Sequence, residues 1–226
     1  PTPEVQLWVD YIYLDTDERR RFAQVSHEYL IEQLQVESKE VNKDNERCKI
    51  KLDFNHPVKE LIWVNQKNVN ATENTSFSYI DATKTTGDSM NDYFNYLSND
   101  DTDNTLNTND YVEYINGQKS IEGFSKMRLK LNGHDRFEKR CASYFRLCQP
   151  YQSGHKIPEK HIYTYSFALK PREHQPSGTC NFSRIDKAEM IFDSVSYFNA
   201  TDANSVSGNT ITCYAINYNV LRIMSG

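Results

Sequence analysis

The chain has 226 residues, with 26 Lys and Arg set against 31 Asp and Glu, a net charge of −5, and the two signs interspersed along its length. That balance argues against a protein that wraps nucleic acid, which needs a basic face to neutralise phosphates. The longest apolar run, Leu61–Val64, falls far short of the roughly 18 residues a spanning helix needs. Aromatic residues make up 12% of the chain, with fifteen Tyr and eleven Phe. These residues favour sheets, and Tyr also suits surfaces that become interfaces. The length allows one large or two small domains. The chain does not open on Met and has no signal-peptide apolar core, so it reads as a fragment or processed piece.

In chain order, Leu7–Leu14 has the aromatic and β-branched content of a strand. Asp15 stands where an N-cap belongs, with Glu18 three residues on, and predicts a short helix over Thr16–Gln24. Arg19–Arg20–Arg21 follows Asp15, Asp17 and Glu18 and reads as a charge-balanced helix face. Tyr29–Val36 fits either a continuation of that helix or a strand. Glu37–Glu46 is polar and charged, the composition of a linker. Arg47–Phe54 then alternates, with Cys48, Ile50, Leu52 and Phe54 inward and Lys49, Lys51 and Asp53 outward.

His56–Pro57 marks a turn, and Lys59–Asn65 the next strand. Further strands are expected at Phe77–Asp81, Ser125–Leu131, Ala142–Leu147, Ile162–Leu169, Thr179–Ile185, Glu189–Phe192 and Ile211–Arg222. In Ile162–Leu169 the large side chains Tyr163, Tyr165, Phe167 and Leu169 share one parity. Between these runs, Thr83–Gly123 is rich in Asp, Asn, Thr and Ser and shows no period, which predicts a long exposed insertion. Many strands with few helices make an all-β sandwich.

Few residues invite a chemical reading. Five cysteines contain no CxxC pair; Cys48, Cys180 and Cys213 sit in strand-like runs as buried, reduced thiols, and a Cys141–Cys148 disulfide stays open. Asn99–Asp110 spaces its oxygens somewhat like a calcium loop, but lacks the glycine at the sixth position and the closing Glu, so it reads as a solvated loop. The six histidines lack metal spacing and form no HxH pair. His134–Asp135–Arg136 reads as a hydrogen-bonded strand end, with Gly133 permitting the turn and Asp135 pairing Arg136 or capping backbone amides. Phosphate-binding glycine motifs are absent from the sequence. Sequons begin at Asn70, Asn74, Asn181 and Asn199; Asn181 lies in a strand-like run, which leaves Asn70, Asn74 and Asn199 as candidate glycan acceptors. No catalytic, cofactor-binding or metal-binding residue is assigned, and the sequence makes no case for an enzyme.

Five blocks carry a resemblance: LWVDYIYLDTDERRRFAQVSHEYLIEQLQ (Leu7–Gln35), FNHPVKELIWV (Phe54–Val64), LNGHDRF (Leu131–Phe137), YSFALKPREHQPSGTCNFSRID (Tyr165–Asp186) and YAINYNVLRIMSG (Tyr214–Gly226). The sequence resembles the C-terminal part of the major capsid proteins of nucleocytoplasmic large DNA viruses. That resemblance favours a strand at Tyr29–Val36 and implies two consecutive eight-stranded antiparallel jelly rolls. On it, residues 1–37 end the first roll, 38–46 link, and 47–226 form the second roll with an exposed insertion at 83–123. It also implies a homotrimeric, pseudo-hexagonal capsomer that tiles an icosahedral shell in the virion, assembled in the host cytoplasm. Neighbouring capsomers, minor capsid proteins, an internal membrane and glycans on outer loops are the implied partners, without direct nucleic-acid contact or a cofactor. The alternative from the residues alone is a lectin-like sandwich that binds carbohydrate through the Tyr-, Asn- and Asp-rich loop.

Overall fold

The computed structural model describes residues 6–41, 47–67, 112–115, 118–158, 161–193, 195 and 209–224. They fall into two compact units: Pro1–Ile31 with Asn219–Gly226, and Glu32–Tyr218.

The first unit holds α1 (Thr16–Gln24), which spans the residues its capping signals predict. Asp15 adopts an extended backbone, and its carboxylate accepts the Glu18 N–H at 2.8 Å, satisfying one of the free donors at the helix start. The helix ends where Val25 N–H returns to Arg21 O, and it buries none of its own residues. After it comes β1 (His27–Val41), which settles Tyr29–Val36 as strand. Strand β1 also takes in Glu37–Val41, half of the stretch whose polarity suggests a linker; its exposed positions tolerate charge as a strand does. Residues 42–46 lie outside the described residues.

The second unit is an antiparallel sandwich, and its strands follow β1 as β2 (Arg47–Lys51), β3 (Pro57–Lys67), β4 (Val112–Ile115), β5 (Gln118–Ile121), β6 (Lys126–Leu131), β7 (His134–Asp135), β8 (Arg140–Cys141), β9 (Ile162–Ser166), β10 (Cys180–Asn181), β11 (Ala188–Asp193) and β12 (Asn209–Ile223). One sheet runs β1-β12-β3-β10, with β9 also on β3; the other runs β2-β11-β6-β7, with β8 also on β6. Neighbours in each sheet are far apart in sequence, as expected of a sandwich whose chain crosses between layers. β4 and β5 form a separate hairpin at the end of the predicted insertion.

Alternation decides what the layers enclose. Cys48 and Ile50 from β2, Met127 and Leu129 from β6, and Met190 and Phe192 from β11 line one inner face. Leu61 and Trp63 from β3, Tyr163 from β9, and Ile211, Cys213 and Ala215 from β12 line the other. Burial drives the Cys213 thiol far above its ordinary range, so it packs as a small apolar group. All five cysteines are free thiols. Trp63 is the hub: its ring meets Phe145 at 5.2 Å, Tyr163 at 6.0 Å and, across the sandwich, Phe192 at 6.4 Å.

The structure corrects several expectations. Leu7–Leu14 carries no strand ladder among the described residues and lies exposed. Ala142–Leu147 is helical instead of extended: a π-helical turn, Tyr144–Cys148, leads into α2 (Gln149–Gln152). Its apolar run has no clear period, and Pro150 in the first turn of α2, where its missing N–H costs nothing, favours the helix. Strand β9 stops at Ser166, and Leu169 points to solvent at 81% exposure although its parity assigns it to the core. Thr179–Ile185 yields only β10 and a single 3-10 turn, Phe182–Arg184. Asp135 does not pair with Arg136; it lies 3.5 Å from Arg128 and 3.6 Å from Lys130 across the β6–β7 hairpin. The expected strand Phe77–Asp81, the Asn99–Asp110 loop and sequons Asn70, Asn74 and Asn199 lie outside the described residues.

Trp63→Ala should cost about 3–5 kcal/mol, because it empties the largest buried side chain of the core. Trp63→Phe should cost much less, since the buried indole N–H has no hydrogen-bond partner and its removal relieves that penalty. Urea unfolding monitored by circular dichroism separates the two, and equal losses would refute this account of the core.

Candidate functional site

The densest cluster of chemically versatile side chains lies inside the second unit. Glu122 follows β5, two residues before the core residue Phe124, and its carboxylate is buried. Arg146, on the π-helical turn, donates through Nε to Glu122 Oε1 at 2.8 Å and places Nη2 2.6 Å from the same oxygen. Tyr163 donates its hydroxyl to Glu122 Oε2 at 2.9 Å and accepts the Gly123 N–H at 3.0 Å. Asn65 donates to Gly123 O at 3.1 Å, and His161 Nε2 lies 3.8 Å from Glu122 Oε2. Burial, with the Glu122 charge second, holds the Tyr163 hydroxyl far above the usual phenol range, so it stays a donor.

A second set lies along β3. Glu60 is 1% exposed and faces His155 Nε2 at 2.8 Å; burial pushes its carboxyl above the usual carboxylate range, opposed by His155. Its neighbour Lys59 pairs with Glu32 at 2.5 Å and stands over the Tyr218 ring at 5.4 Å.

Both are closed by their own partners, with Glu122 engaged by a guanidinium and a phenol and Glu60 by an imidazole. Among the described residues no group of three or more His, Cys, Asp or Glu could hold a metal ion. An open groove of about 390 Å³ lies between β1 and β2, lined by Glu37, Lys39, Lys49, Lys51 and Asp53 among others. Its lysines are already engaged: Lys39 by Lys49 O, Lys49 by Glu189 and Lys51 by Asp53. His134 and Asp135 sit exposed on β7, and the Arg136 guanidinium lies beside Tyr165 and Cys180, so that triplet forms no acid–base site. Asn181 is part of β10, and its side chain accepts the Ser183 N–H, which ties it down as a turn residue.

What the molecule does offer is surface. Leu7, Trp8, Tyr11, Ile12 and Tyr13 are each at least three-quarters exposed in the first unit, and Phe22, Val25, Tyr29 and Leu30 are exposed there too. At the other end of the chain, Val220, Leu221, Ile223 and Met224 add to that unit's exposed apolar area. Exposed apolar side chains on this scale mark an interaction surface.

Residues 18–226 match the family model for the large eukaryotic DNA virus major capsid protein. The chain belongs to this family. It is 42% identical to the major capsid protein of Pyramimonas orientalis virus over 97% of its own length and 46% of that protein. To the major capsid protein of Paramecium bursaria Chlorella virus 1 it is 41% identical, over 99% of this chain and 53% of the other. The chain thus spans about half the length of these relatives. Among solved structures, a chain of the PBCV-1 virus capsid superposes with a TM-score of 0.64 at 38% identity, covering 96% of this chain and 54% of that one. The Faustovirus major capsid protein shares the fold, with a TM-score of 0.58 at 14% identity.

For a capsid chain, the buried polar network is then a fastener. Sequence reading missed it: Arg146 stood in an expected strand and Glu122 near the end of the expected exposed insertion, Thr83–Gly123. The available signal was a lone charge beside a core phenylalanine, Glu122-Gly123-Phe124 and Phe145-Arg146. Glu122→Leu or Arg146→Met alone should cost about 3–5 kcal/mol, because each strands a buried charge. The double variant should cost less than either single one. Denaturant midpoints of the three proteins check this, and additive losses would exclude a coupled pair.

Proposed function

We propose that this chain is the C-terminal portion of a double jelly-roll major capsid protein that builds the shell of a large DNA virus. Residues 1–37 finish the first roll, 38–46 lead out of it, and 47–226 form the second eight-stranded roll, with the insertion at 83–123 directed outward. Three copies make a pseudo-hexagonal capsomer, and capsomers tile an icosahedral shell in the virion, assembled in the host cytoplasm. Minor capsid proteins and an internal membrane are the further contacts this reading implies.

The contrast between the two units carries the reading. The sandwich unit encloses an aromatic core, whereas the first unit has a helix with no buried residue and an extended apolar segment, Leu7–Leu14. Open backbone groups and bare Leu, Trp and Tyr side chains are costly in water, and the missing half of the relatives' length supplies what would cover them. Pairing of Leu7–Leu14 with upstream strands satisfies both needs at once. Obligate interfaces of about 2,000–5,000 Å² then account for the aromatic richness of the chain.

The carbohydrate-binding alternative depends on the loop at 83–123. Most of that loop lies outside the described residues, and its described end, Glu122–Gly123, is buried in the sandwich. The full-length protein should run as a trimer in native mass spectrometry. Trp8→Asp with Ile12→Asp should abolish its soluble expression or expose dye-binding apolar surface. A full-length protein that stays monomeric at high concentration and binds oligosaccharides would replace the capsid reading with the lectin one.

A further inference from the structure

The outer face of the β2-β11-β6 sheet is a grid of charge. Cys48, Ile50, Met127, Leu129, Met190 and Phe192 point into the core, so the residues between them face away from it. β2 then presents Arg47, Lys49 and Lys51, and β6 presents Lys126, Arg128 and Lys130. On β11 between them stand Asp193, Ile191 and Glu189, each in register with one residue on either side. We propose that this face is an interaction surface that takes the acidic stretch 68–111 of a second copy of the chain.

The carboxylates already on the face do not neutralise it, because each of three is shared. Glu189 lies between Lys49 at 2.7 Å and Lys187 at 3.3 Å, Asp193 between Arg47 at 3.5 Å and Lys139, and Asp135 of β7 between Arg128 and Lys130. One negative charge set against two positive ones leaves a surplus at all three, and the exposed Lys126 adds to it. Individual lysines are thus engaged while the face as a whole stays cationic, which is what attraction of a charged partner requires. The middle row is the strongest point. It reads Lys49–Ile191–Arg128, with an aliphatic side chain where the rows on either side have Asp193 and Glu189. Arg128 Nε is buried there without a hydrogen-bond partner. A carboxylate laid over Ile191 would meet cations on two sides, as those three carboxylates of the face do.

The occupant follows from charge. Residues 68–111, which lie outside the described residues, hold eight Asp and Glu against a single Lys, and in the rest of the chain bases outnumber acids. The net charge of −5 thus conceals a division into an acidic stretch and a sandwich with a basic face. A nucleic-acid backbone suits that face less well. Its phosphates repeat along a continuous line, and running along β11 they would meet Asp193 and Glu189, each about 7 Å from Ile191 at two residues of strand rise. Carboxylates spaced along a polypeptide avoid both. Placing the partner in a second copy rests on the proposed shell, in which identical subunits stand side by side. Contacts of this kind are screened by salt, and they set orientation and register more than affinity.

The test is zero-length carbodiimide coupling of the full-length protein, which joins a lysine amine to a carboxylate in contact with it. The covalent dimer isolated on a denaturing gel should yield peptides linking Lys49, Lys126 or Lys130 to acids of 68–111, and the monomer band should not. The Lys49–Glu189 link within one copy is the internal standard. Arg47→Glu with Arg128→Glu reverses charge on the face without removing a reactive amine, and should lower the yield of the inter-copy links about tenfold, the combined effect of a few surface ion pairs. Raising salt from about 0.1 M to 1 M should do the same to the wild type, because the screening length drops from about 10 Å to 3 Å. The salt arm needs no variant, so the test survives a folding defect at Arg128. Links found equally in the monomer band would place the stretch on its own copy and overturn the inference. So would a yield indifferent to the variant and to salt. Lysines that couple to nothing in 68–111 would overturn it as well, and their shielding by added duplex DNA would assign the face to nucleic acid. A trimer in native mass spectrometry that lacks these links leaves the capsid reading standing and removes only this interface, whereas a monomer removes both.

Discussion

The stacking of aromatic rings across the gap between two sheets is the contact on which the sandwich depends. Trp63 on β3 and Phe192 on β11 belong to opposite layers and meet edge to face at 6.4 Å, with Phe124 closing against Phe192 at 5.0 Å. From Trp63 the ring contacts run on without a gap through Phe145, Phe137, Tyr165, Phe167 and Phe182 to Phe54. Each such pair adds about 0.5–1.5 kcal/mol beyond the area it buries, and rigid rings fix the spacing of the layers in a way that flexible side chains do not. Gly178 serves this chain of rings. Its φ of +137°, and the 3.0 Å at which an added Cβ would meet Phe167 O, reserve the position for glycine. The loop can then return closely enough for β10 to pair with the start of β3 and for Phe182 to reach Phe54 and Phe167.

Charge inside this apolar setting has a definite geometric result. The Glu122–Arg146 pair joins the end of an insertion to a helical turn, and Tyr163 and Asn65 tie the same point to two strands of one sheet. Four segments distant in sequence are thereby held in one register by hydrogen bonds of fixed direction, which dispersion contacts alone do not impose. Desolvation cancels much of the Coulombic gain of such a pair. Its effect on the fold is therefore to fix alignment more than to add stability. Lys59 and Glu32 do the same between β3 and β1 with a more exposed pair.

Strands whose two faces differ were legible in the sequence, and segments answering to long-range contacts were not. Arg47–Phe54 shows this at its clearest: Cys48, Ile50, Leu52 and Phe54 are buried and Lys49, Lys51 and Asp53 exposed, as period-two alternation requires. The capped helix is equally local, because Asp15 and Glu18 lie within one turn of each other. Ala142–Leu147 misled because a run of apolar side chains serves a buried helix as well as a strand, and only the position of Phe145 beneath Trp63 separates the two. Leu169 misled because parity was carried past the point where Ser166 bonds back to Ala168 and ends the ladder. The polar network was invisible for a deeper reason. Glu122 and Arg146 are 24 residues apart and Glu60 and His155 are 95 apart, and no local pattern joins such positions.

The distribution of exposed apolar surface between the units bears directly on the proposed function. Glu60, Tyr163 and Cys213 owe their shifts to burial in the packed interior, while the strongly exposed side chains include large apolar ones such as Trp8, Ile12 and Tyr13. The first arrangement spends its polarity on holding one fold. The second leaves large apolar side chains facing solvent. The proposed place in a shell calls for both, since a contact between subunits has fixed geometry only if the scaffold beneath it does not deform. The contacts between the sheets therefore set the accuracy with which the outer faces can be presented to neighbouring polypeptide.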